Sequence, residues 1–167
     1  MDEFQIISSF LKKLTKNNAA AFNLTDDIFY DRKSKLAVTI DTYNEGFHYL
    51  NIKNPNLLIK KIIRSSISDL ICKGVKPKYI FISASGNNKI FNKLNLKKIS
   101  NSISQEQEKY GFLLSGGDIT FSKKTSFTIT SLGFSNKIIN RNKAKLYDDI
   151  YVTGNLGDSY IGLNILK

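Results

Sequence analysis

The stretch Leu36–Leu50, LAVTIDTYNEGFHYL, decides how the rest of the chain is interpreted. It begins with two apolar residues, Val38 and Ile40, that alternate with Thr39 and Asp41. Successive side chains of a strand point to opposite faces, so Thr39 and Asp41 share one face of a predicted strand and the apolar pair takes the other. A carboxylate at the end of a buried strand is unusual in a structural turn. The stretch therefore predicts a functional site.

Further acidic residues could converge on this strand from the segments LTDD, SISDL and SGGD. If LTDD belongs to a short strand, Asp26 and Asp27 lie on opposite faces and only one can point into a common site. Asp69 falls in the last turns of a predicted helix, where the helix dipole disfavours an anion, so a nearby cation would make the position tolerable. The glycines before Asp118 allow the backbone to approach a phosphate closely, and the carboxylate could hold magnesium.

The apolar periodicity predicts an α/β fold in which a mixed β-sheet is flanked by helices. Helices are predicted over residues 3–14, 57–74 and 90–109 and from about Asp158, with Gly74 as the C-terminal cap of the second. Strands are predicted within 24–31, from Leu36, and over 79–85, 125–134 and 148–154. The run GFLLSGGDIT stands out only as a short apolar segment closed by two glycines and an aspartate.

Composition limits the class of protein. The 167 residues, 41% of them hydrophobic, fit one domain, or one domain and the start of another. The segment MDEFQIISSF lacks the order of a signal peptide, and no apolar run reaches the roughly 18 residues of a membrane span. The one cysteine, Cys72, excludes an internal disulfide and disfavours a cysteine-based zinc site. We therefore expect a soluble cytoplasmic protein without membrane association.

The formal net charge of +11 raises the question of nucleic-acid binding. The lysines are scattered, and no basic run alternates with aromatic residues as in a surface that stacks bases. This pattern favours a solvated lysine-rich surface, with no specific nucleic acid as a partner. A positive field would also suit a polyphosphate ligand.

Several common catalytic patterns are missing from the sequence. It contains neither a P-loop nor a dinucleotide-binding glycine motif, and it lacks the landmarks of protein kinases and the nucleophile elbow of serine hydrolases. A single histidine, His48, cannot form a histidine-based metal site. If a nucleotide binds, carboxylates and their magnesium ions must hold its phosphates. Because each magnesium ion takes only one or two carboxylates, such a cluster suggests several ions.

Taken together and in this order, the motifs resemble the thiamine-monophosphate kinases of the aminoimidazole-ribonucleotide-synthetase-like ATP-binding superfamily. The similarity runs from Glu3 to Leu166. The corresponding segments are Glu3–Ile7, Thr25–Asp27, Thr39–Asp41 with Glu45–Tyr49, Ser66–Asp69, Cys72–Gly74 (alanine-methionine-glycine in the family), Gly116–Asp118, Arg141 and Tyr151–Gly154. The segment from Asp41 through Glu45-Gly46 to His48 is the most specific of them. The chain departs from the family pattern at Thr25, Ile40, Ser66 and Leu146-Tyr147.

This resemblance implies a set of roles for individual residues. The implied magnesium ligands are Asp27, Thr39, Asp41, Asp69 and Asp118. Gly117, Asp118 and Arg141 would contact ATP, and His48 would contact thiamine monophosphate. No residue would act as a covalent catalyst, because the reaction relies on positioning and charge neutralisation.

The resemblance also implies a domain organisation and an assembly. Residues 1–145 would form the N-terminal ATP- and magnesium-binding domain, which dimerises through its sheet with ATP in a groove beside the interface. Residues 146–167 would begin a C-terminal domain that supplies further metal and substrate contacts. We therefore expect residues 1–167 alone to convert thiamine monophosphate to thiamine diphosphate weakly or not at all.

Two alternatives remain open at this point. One is another enzyme of the superfamily, such as a selenophosphate synthetase or a hydrogenase-maturation protein. The former normally carries a reactive cysteine or selenocysteine near its N-terminus, whereas the cysteine here is Cys72. The other is a non-catalytic domain of this fold that binds a partner protein or nucleic acid.

Overall fold

Five strands form one mixed sheet in the computed structural model, which describes residues 1–140 and 143–166. The strands are β1 (Phe29–Asp31), β2 (Leu36–Asn44), β3 (Pro77–Gly86), β4 (Leu113–Phe121) and β5 (Ser126–Phe134). The α-helices are α1 (Glu3–Ile6), α2 (Pro55–Cys72), α3 (Lys93–Tyr110) and α4 (Asp158–Leu166). The predicted α/β class with a mixed sheet and flanking helices is confirmed.

The strand order is β1-β2-β5-β3-β4. β5 pairs antiparallel with both β2 and β3, while β4 runs parallel to β3. A parallel neighbour requires a crossover connection, and α3 supplies it between β3 and β4. β1 pairs only with Leu36–Val38, so the second half of β2 keeps an unpaired edge in the described chain. β2 and β4 therefore lie near opposite ends of the sheet.

Helix α2 forms the core with one face of the sheet. It begins at the cap Asn54, whose side chain accepts a hydrogen bond from the Leu57 N–H, with Pro55 at the first helical position. Its buried apolar residues are Leu58, Ile59, Ile62, Ile63, Ile67 and Leu70. Gly74, with φ +74°, follows the helix in the left-handed conformation, so the predicted C-terminal glycine is confirmed. Helix α3 packs against α2, and Arg64 and Glu106 join the two helices through a pair of 2.7 Å contacts.

The two faces of β2 reverse the usual arrangement of polar and apolar side chains. Thr39 and Tyr43 are buried on the face that α2 covers, whereas Ile40 on the other face is 66% exposed. The alternation seen in the sequence is therefore real, but its polar side is the one that faces the helix.

Three predicted elements, and one segment that the sequence left unassigned, differ in the structure. The 148–154 segment forms no strand among the described residues, because a short apolar run needs a partner edge that its own sequence cannot reveal. The GFLLSGGDIT run becomes part of the edge strand β4. The predicted strand within 24–31 shortens to β1, which leaves Asp26 and Asp27 in a bend before it. The first predicted helix breaks into α1 followed by a π-helical turn and a 3-10 turn.

The helices of the described residues were also compared with the requirements of a membrane span. Among them, none combines the length and the apolar character needed to cross a bilayer.

Candidate functional site

A cavity of about 710 Å³ lies between the N-terminal segment and the second half of β2. Six acidic residues line it: Asp2 and Glu3 from the N-terminal segment, Asp26 and Asp27 from the bend before β1, Asp41 from β2, and Asp69 from α2. The predicted convergence of separate acidic segments is therefore observed for three of the four segments. Because the bend replaces the predicted strand, the argument that Asp26 and Asp27 face opposite ways does not apply, and both reach the cavity.

Strand β2 and helix α2 hold two of these carboxylates in place. Thr39 and Asp41 share the face of β2 toward α2, as the alternation predicted. The Thr39 hydroxyl donates a hydrogen bond to Asp69 Oδ2 at 3.0 Å. Thr39 is buried, so this bond ties the carboxylate of α2 to the strand. Thr39 therefore contributes to the site by orienting the Asp69 carboxylate.

The cavity carries negative charge that its surroundings do not fully neutralise. Burial raises the pKa of Asp41, hydrogen bonds from Ser66 and Tyr43 lower it in part, and the Asp27 carboxylate raises it. Burial also raises the pKa of Asp69. The hydrogen bond from Thr39 and the charge of Lys73 lower this pKa in part, whereas the carboxylates of Asp41 and Asp27 raise it. Such a cluster favours proton uptake or cation binding.

The cation expected near Asp69 is Lys73, four residues further along the chain. Lys73 is 2% exposed, and its Nζ lies 2.7 Å from Asp26 Oδ1. The contact is an ion pair without the alignment of a hydrogen bond. A nearby cation was one way to make the position of Asp69 tolerable, but the sequence alone did not identify Lys73 or its partner. The i to i+4 spacing from Asp69 was the signal that pointed to it.

His48 lies outside the acidic cavity, on the turn after β2. Its Nδ1 accepts a hydrogen bond from the Asn44 N–H at 3.0 Å, and its ring meets Tyr43 edge-on at 5.9 Å. The bond at Nδ1 requires the other ring nitrogen, Nε2, to carry the proton in the neutral imidazole. The Lys61 ammonium donates to the His48 carbonyl at 2.7 Å. This turn is therefore held in a fixed conformation with Nε2–H as a donor.

Glu45, in the same segment, has a structural role that the sequence did not reveal. Its Oε2 accepts a hydrogen bond from the Thr125 N–H at 3.1 Å, and its own N–H donates to the Thr125 carbonyl at 3.0 Å. The Tyr49 hydroxyl donates to the same carbonyl at 2.9 Å. These three contacts fasten the turn that carries His48 to the start of β5.

Asp118 does not reach the acidic cavity within one chain. It lies on β4 beside Ser83 of β3, and three strand spacings, roughly 14 Å, separate β4 from β2. Its side chain is exposed. The adjacent Gly117 is required by packing, because a Cβ at this position would lie 1.8 Å from the Ile82 carbonyl oxygen. The convergence predicted for SGGD is thus not observed within the single chain.

Arg141, a predicted ATP contact, lies outside the described residues. Its neighbour Asn140 lines a second cavity of about 700 Å³, together with Asn17, Asn18, Asn23 and other residues. Asp26 borders both cavities. The second cavity is rich in amide groups, whereas the carboxylates are gathered in the first, which is therefore the candidate site for charge-dependent chemistry.

The donor set of the acidic cavity suits magnesium, which prefers oxygen ligands. Among the described residues, no three histidine, cysteine or acidic side chains form a group that could hold one metal ion together. The carboxylates therefore fit magnesium only as one or two ligands per ion, with water and phosphate oxygens completing each shell. This is the way in which magnesium is usually bound beside nucleotides.

Comparison with known proteins extends this description. Residues 16–135 match the family model of the AIR synthase related protein, N-terminal domain. The thiamine-monophosphate kinase of Buchnera aphidicola subsp. Acyrthosiphon pisum is 36% identical over 99% of this chain and 52% of its own length. That of Haemophilus influenzae is 33% identical over 98% of this chain and 51% of its own length. The chain thus spans about half the length of the curated relatives it matches.

A solved structure shows the same similarity to thiamine-monophosphate kinases. A structure of AaThiL complexed with AMPPCP and TMP is 30% identical, with a TM-score of 0.86 over 98% of this chain and 52% of that one. The matched fold includes the sheet, α2 and the bend that together form the acidic cavity. The chain belongs to the family of the AIR synthase related protein, N-terminal domain.

Proposed function

We propose that this chain is the ATP- and magnesium-binding N-terminal portion of a thiamine-monophosphate kinase, an enzyme that uses ATP to phosphorylate thiamine monophosphate to thiamine diphosphate. The observation that carries this proposal is the cavity in which Asp27, Asp41 and Asp69 meet. The similarity to AaThiL, whose structure contains AMPPCP and TMP, supports the assignment of an ATP-type nucleotide and a phosphorylated acceptor.

The residues of this chain would act by positioning and by electrostatics. Asp27, Asp41 and Asp69 would hold magnesium ions, which supply neutralising charge to the phosphates. Thr39 would orient Asp69 through the hydrogen bond described above, and its hydroxyl oxygen is the proposed ligand atom. His48 would donate a hydrogen bond from Nε2–H to the phosphate of thiamine monophosphate. Nothing in this scheme requires a covalent intermediate on the protein.

The proposal includes a homodimer formed through the sheet. Two features of the chain support it: the second half of β2 is unpaired on one side, and β4 is an edge strand. Apolar side chains at these places are exposed, with Ile119 at 62% and Phe121 at 73%. Pairing β4 of one copy beside β2 of another would cover these groups. It would also bring Gly117 and Asp118 of one copy toward the acidic cavity of the next, where they would contact ATP and its magnesium.

The remaining parts of the proposal concern domain limits, the nucleotide contact outside the described residues, and location. Residues 1–145 are assigned to the nucleotide-binding domain and 146–167 to the beginning of a further domain. Arg141 is assigned to ATP. The second segment exposes apolar residues, among them Leu146, Tyr147 and Ile150. This exposure supports the proposal that a further domain would cover the segment. The proposed compartment is the cytoplasm.

Binding of a non-hydrolysable ATP analogue, measured by calorimetry with magnesium and with EDTA, tests this function. We expect binding only with magnesium, because the carboxylates alone would repel the triphosphate. Duplex DNA in the same buffer is the control for the basic surface, since binding by scattered lysines falls steeply with salt. Tight DNA binding at physiological salt together with no analogue binding would overturn the proposal in favour of a basic nucleic-acid-binding domain.

A further inference from the structure

A buried ammonium group lies at the end of α2 beside the acidic cavity. The side chain of Lys73 is 2% exposed, and that of its partner Asp26 is 9% exposed. Lysine is almost never buried to this degree unless it is paired, because removing an ammonium group from water is costly. This charge is paired with Asp26, whose Oδ1 lies 2.7 Å from the Lys73 Nζ. The pair therefore has to be accounted for in any description of the cavity.

The ion pair connects two segments that carry the proposed metal ligands. Lys73 directly follows α2 and lies one helical turn beyond Asp69. Asp26 precedes Asp27 in the bend before β1. Fixing Asp26 to Lys73 thus also fixes where the neighbouring Asp27 is placed relative to α2. Of the two adjacent carboxylates that border the cavity, Asp26 is the one that faces the lysine.

We propose that Lys73 is a positioning residue whose charge keeps Asp26 out of the metal-ligand set and leaves cation binding to Asp27, Asp41 and Asp69. The inference rests on the proposed function, because it takes the cavity to be a magnesium site. An ammonium group 2.7 Å from a carboxylate oxygen occupies that oxygen and repels a divalent cation that approaches it. The same charge reduces the repulsion among the remaining carboxylates before any metal binds.

Melting temperatures with magnesium and with EDTA test the inference in four proteins: the wild type, Lys73→Met, Asp26→Asn and the double variant. Methionine keeps most of the length of lysine and removes its charge. In EDTA we expect Lys73→Met to lower the melting temperature by on the order of 10 °C, because Asp26 is left buried and uncompensated. The double variant should recover much of this loss, since the two residues act as a pair.

The magnesium increment distinguishes positioning from a purely structural ion pair. Lys73→Met should show a larger increment than the wild type, because Asp26 becomes available to cations. The double variant should show the wild-type increment, because it lacks both charges of the pair and keeps the three proposed ligands. Asp26→Asn should show a smaller increment, because the unpaired ammonium of Lys73 then repels the cation.

Three results would overturn the inference. An unchanged increment in Lys73→Met would make the ion pair purely structural. A lost increment in the double variant, which remains informative if Lys73→Met fails to fold, would make Asp26 a ligand in the wild type. Either of these two results would leave the magnesium site of the proposed function intact. The absence of any increment in the wild type would instead refute the magnesium site of the proposed function, and the inference with it.

Discussion

The two ends of the sheet contrast in how much of their chemistry the single chain completes. At the β2 end, three segments bring Asp27, Asp41 and Asp69 to one cavity, where burial and mutual repulsion raise the pKa of Asp41 and Asp69. At the β4 edge, Gly117 is packed against β3, and Asp118 is exposed beside Ser83 of β3. Both ends carry residues that the sequence associates with phosphate and magnesium. Folding of the single chain assembles the first end, whereas the second lies at a sheet edge that the proposed homodimer would complete.

The largest expected effect is on nucleotide binding at the β2 end. Asp41→Asn or Asp69→Asn should weaken magnesium-dependent binding of an ATP analogue by on the order of 100-fold, because each removes a charged oxygen donor. Calorimetry measures the change. Glu108→Gln is the matched control, since Glu108 is an exposed carboxylate on α3 away from the cavity. Equal losses in the control and the two variants would contradict a specific role for the cavity.

The next prediction concerns the β4 edge. Ile119→Lys should shift the protein from dimer to monomer in sedimentation experiments at micromolar concentration, because it places a charge in an exposed apolar strand edge. Leu94→Lys is the control, because Leu94 is similarly exposed at 64% but lies on α3. If the β4 edge completes the site of a neighbouring copy, the monomeric variant should also bind the ATP analogue more weakly. A dimer that persists in Ile119→Lys would refute this interface.

A smaller effect is expected at the turn after β2, which carries Glu45 and His48. His48→Ala should weaken the binding of thiamine monophosphate about tenfold, since one hydrogen bond to a charged group is lost. The melting temperature should change little, because His48 is exposed. By contrast, Glu45→Ala should lower the melting temperature, because it removes the carboxylate that accepts the Thr125 N–H and fastens the turn. A larger loss of stability in His48→Ala than in Glu45→Ala would reverse the assignment of the two roles.

The smallest expected effect is the pH dependence of the metal-free protein. A carboxyl with a raised pKa binds its proton more tightly in the folded state than in the unfolded chain. The contribution of Asp69 is therefore fully present below its ordinary pKa of 3.8 and is lost as the pH rises through the raised folded value. We expect the melting temperature of the wild type, relative to that of Asp69→Asn, to rise by a few degrees on acidification across this window in EDTA. Parallel pH curves for the two proteins would refute the repulsion inferred for the cavity.

The parts of the site that could be predicted from sequence depend on local periodicity. The alternation of Thr39 and Asp41, the helix that carries Asp69, and the glycine that ends this helix all follow from contacts a few residues apart. The failures involve segments whose structure depends on a distant partner. The SGGD run becomes strand because β3 offers an edge, whereas the 148–154 segment finds no partner edge among the described residues.

The sequence by itself determined the α/β class, the motifs that relate the chain to its family, and the three segments that supply Asp27, Asp41 and Asp69. Only the tertiary structure decided that the polar face of β2 meets α2, that Lys73 pairs with Asp26, and that Asp118 lies at the far edge of the sheet. The physical reason is that side-chain direction within a strand or helix repeats with a fixed period. The order of strands in a sheet and the pairing of buried charges, by contrast, depend on contacts between segments that are distant in sequence.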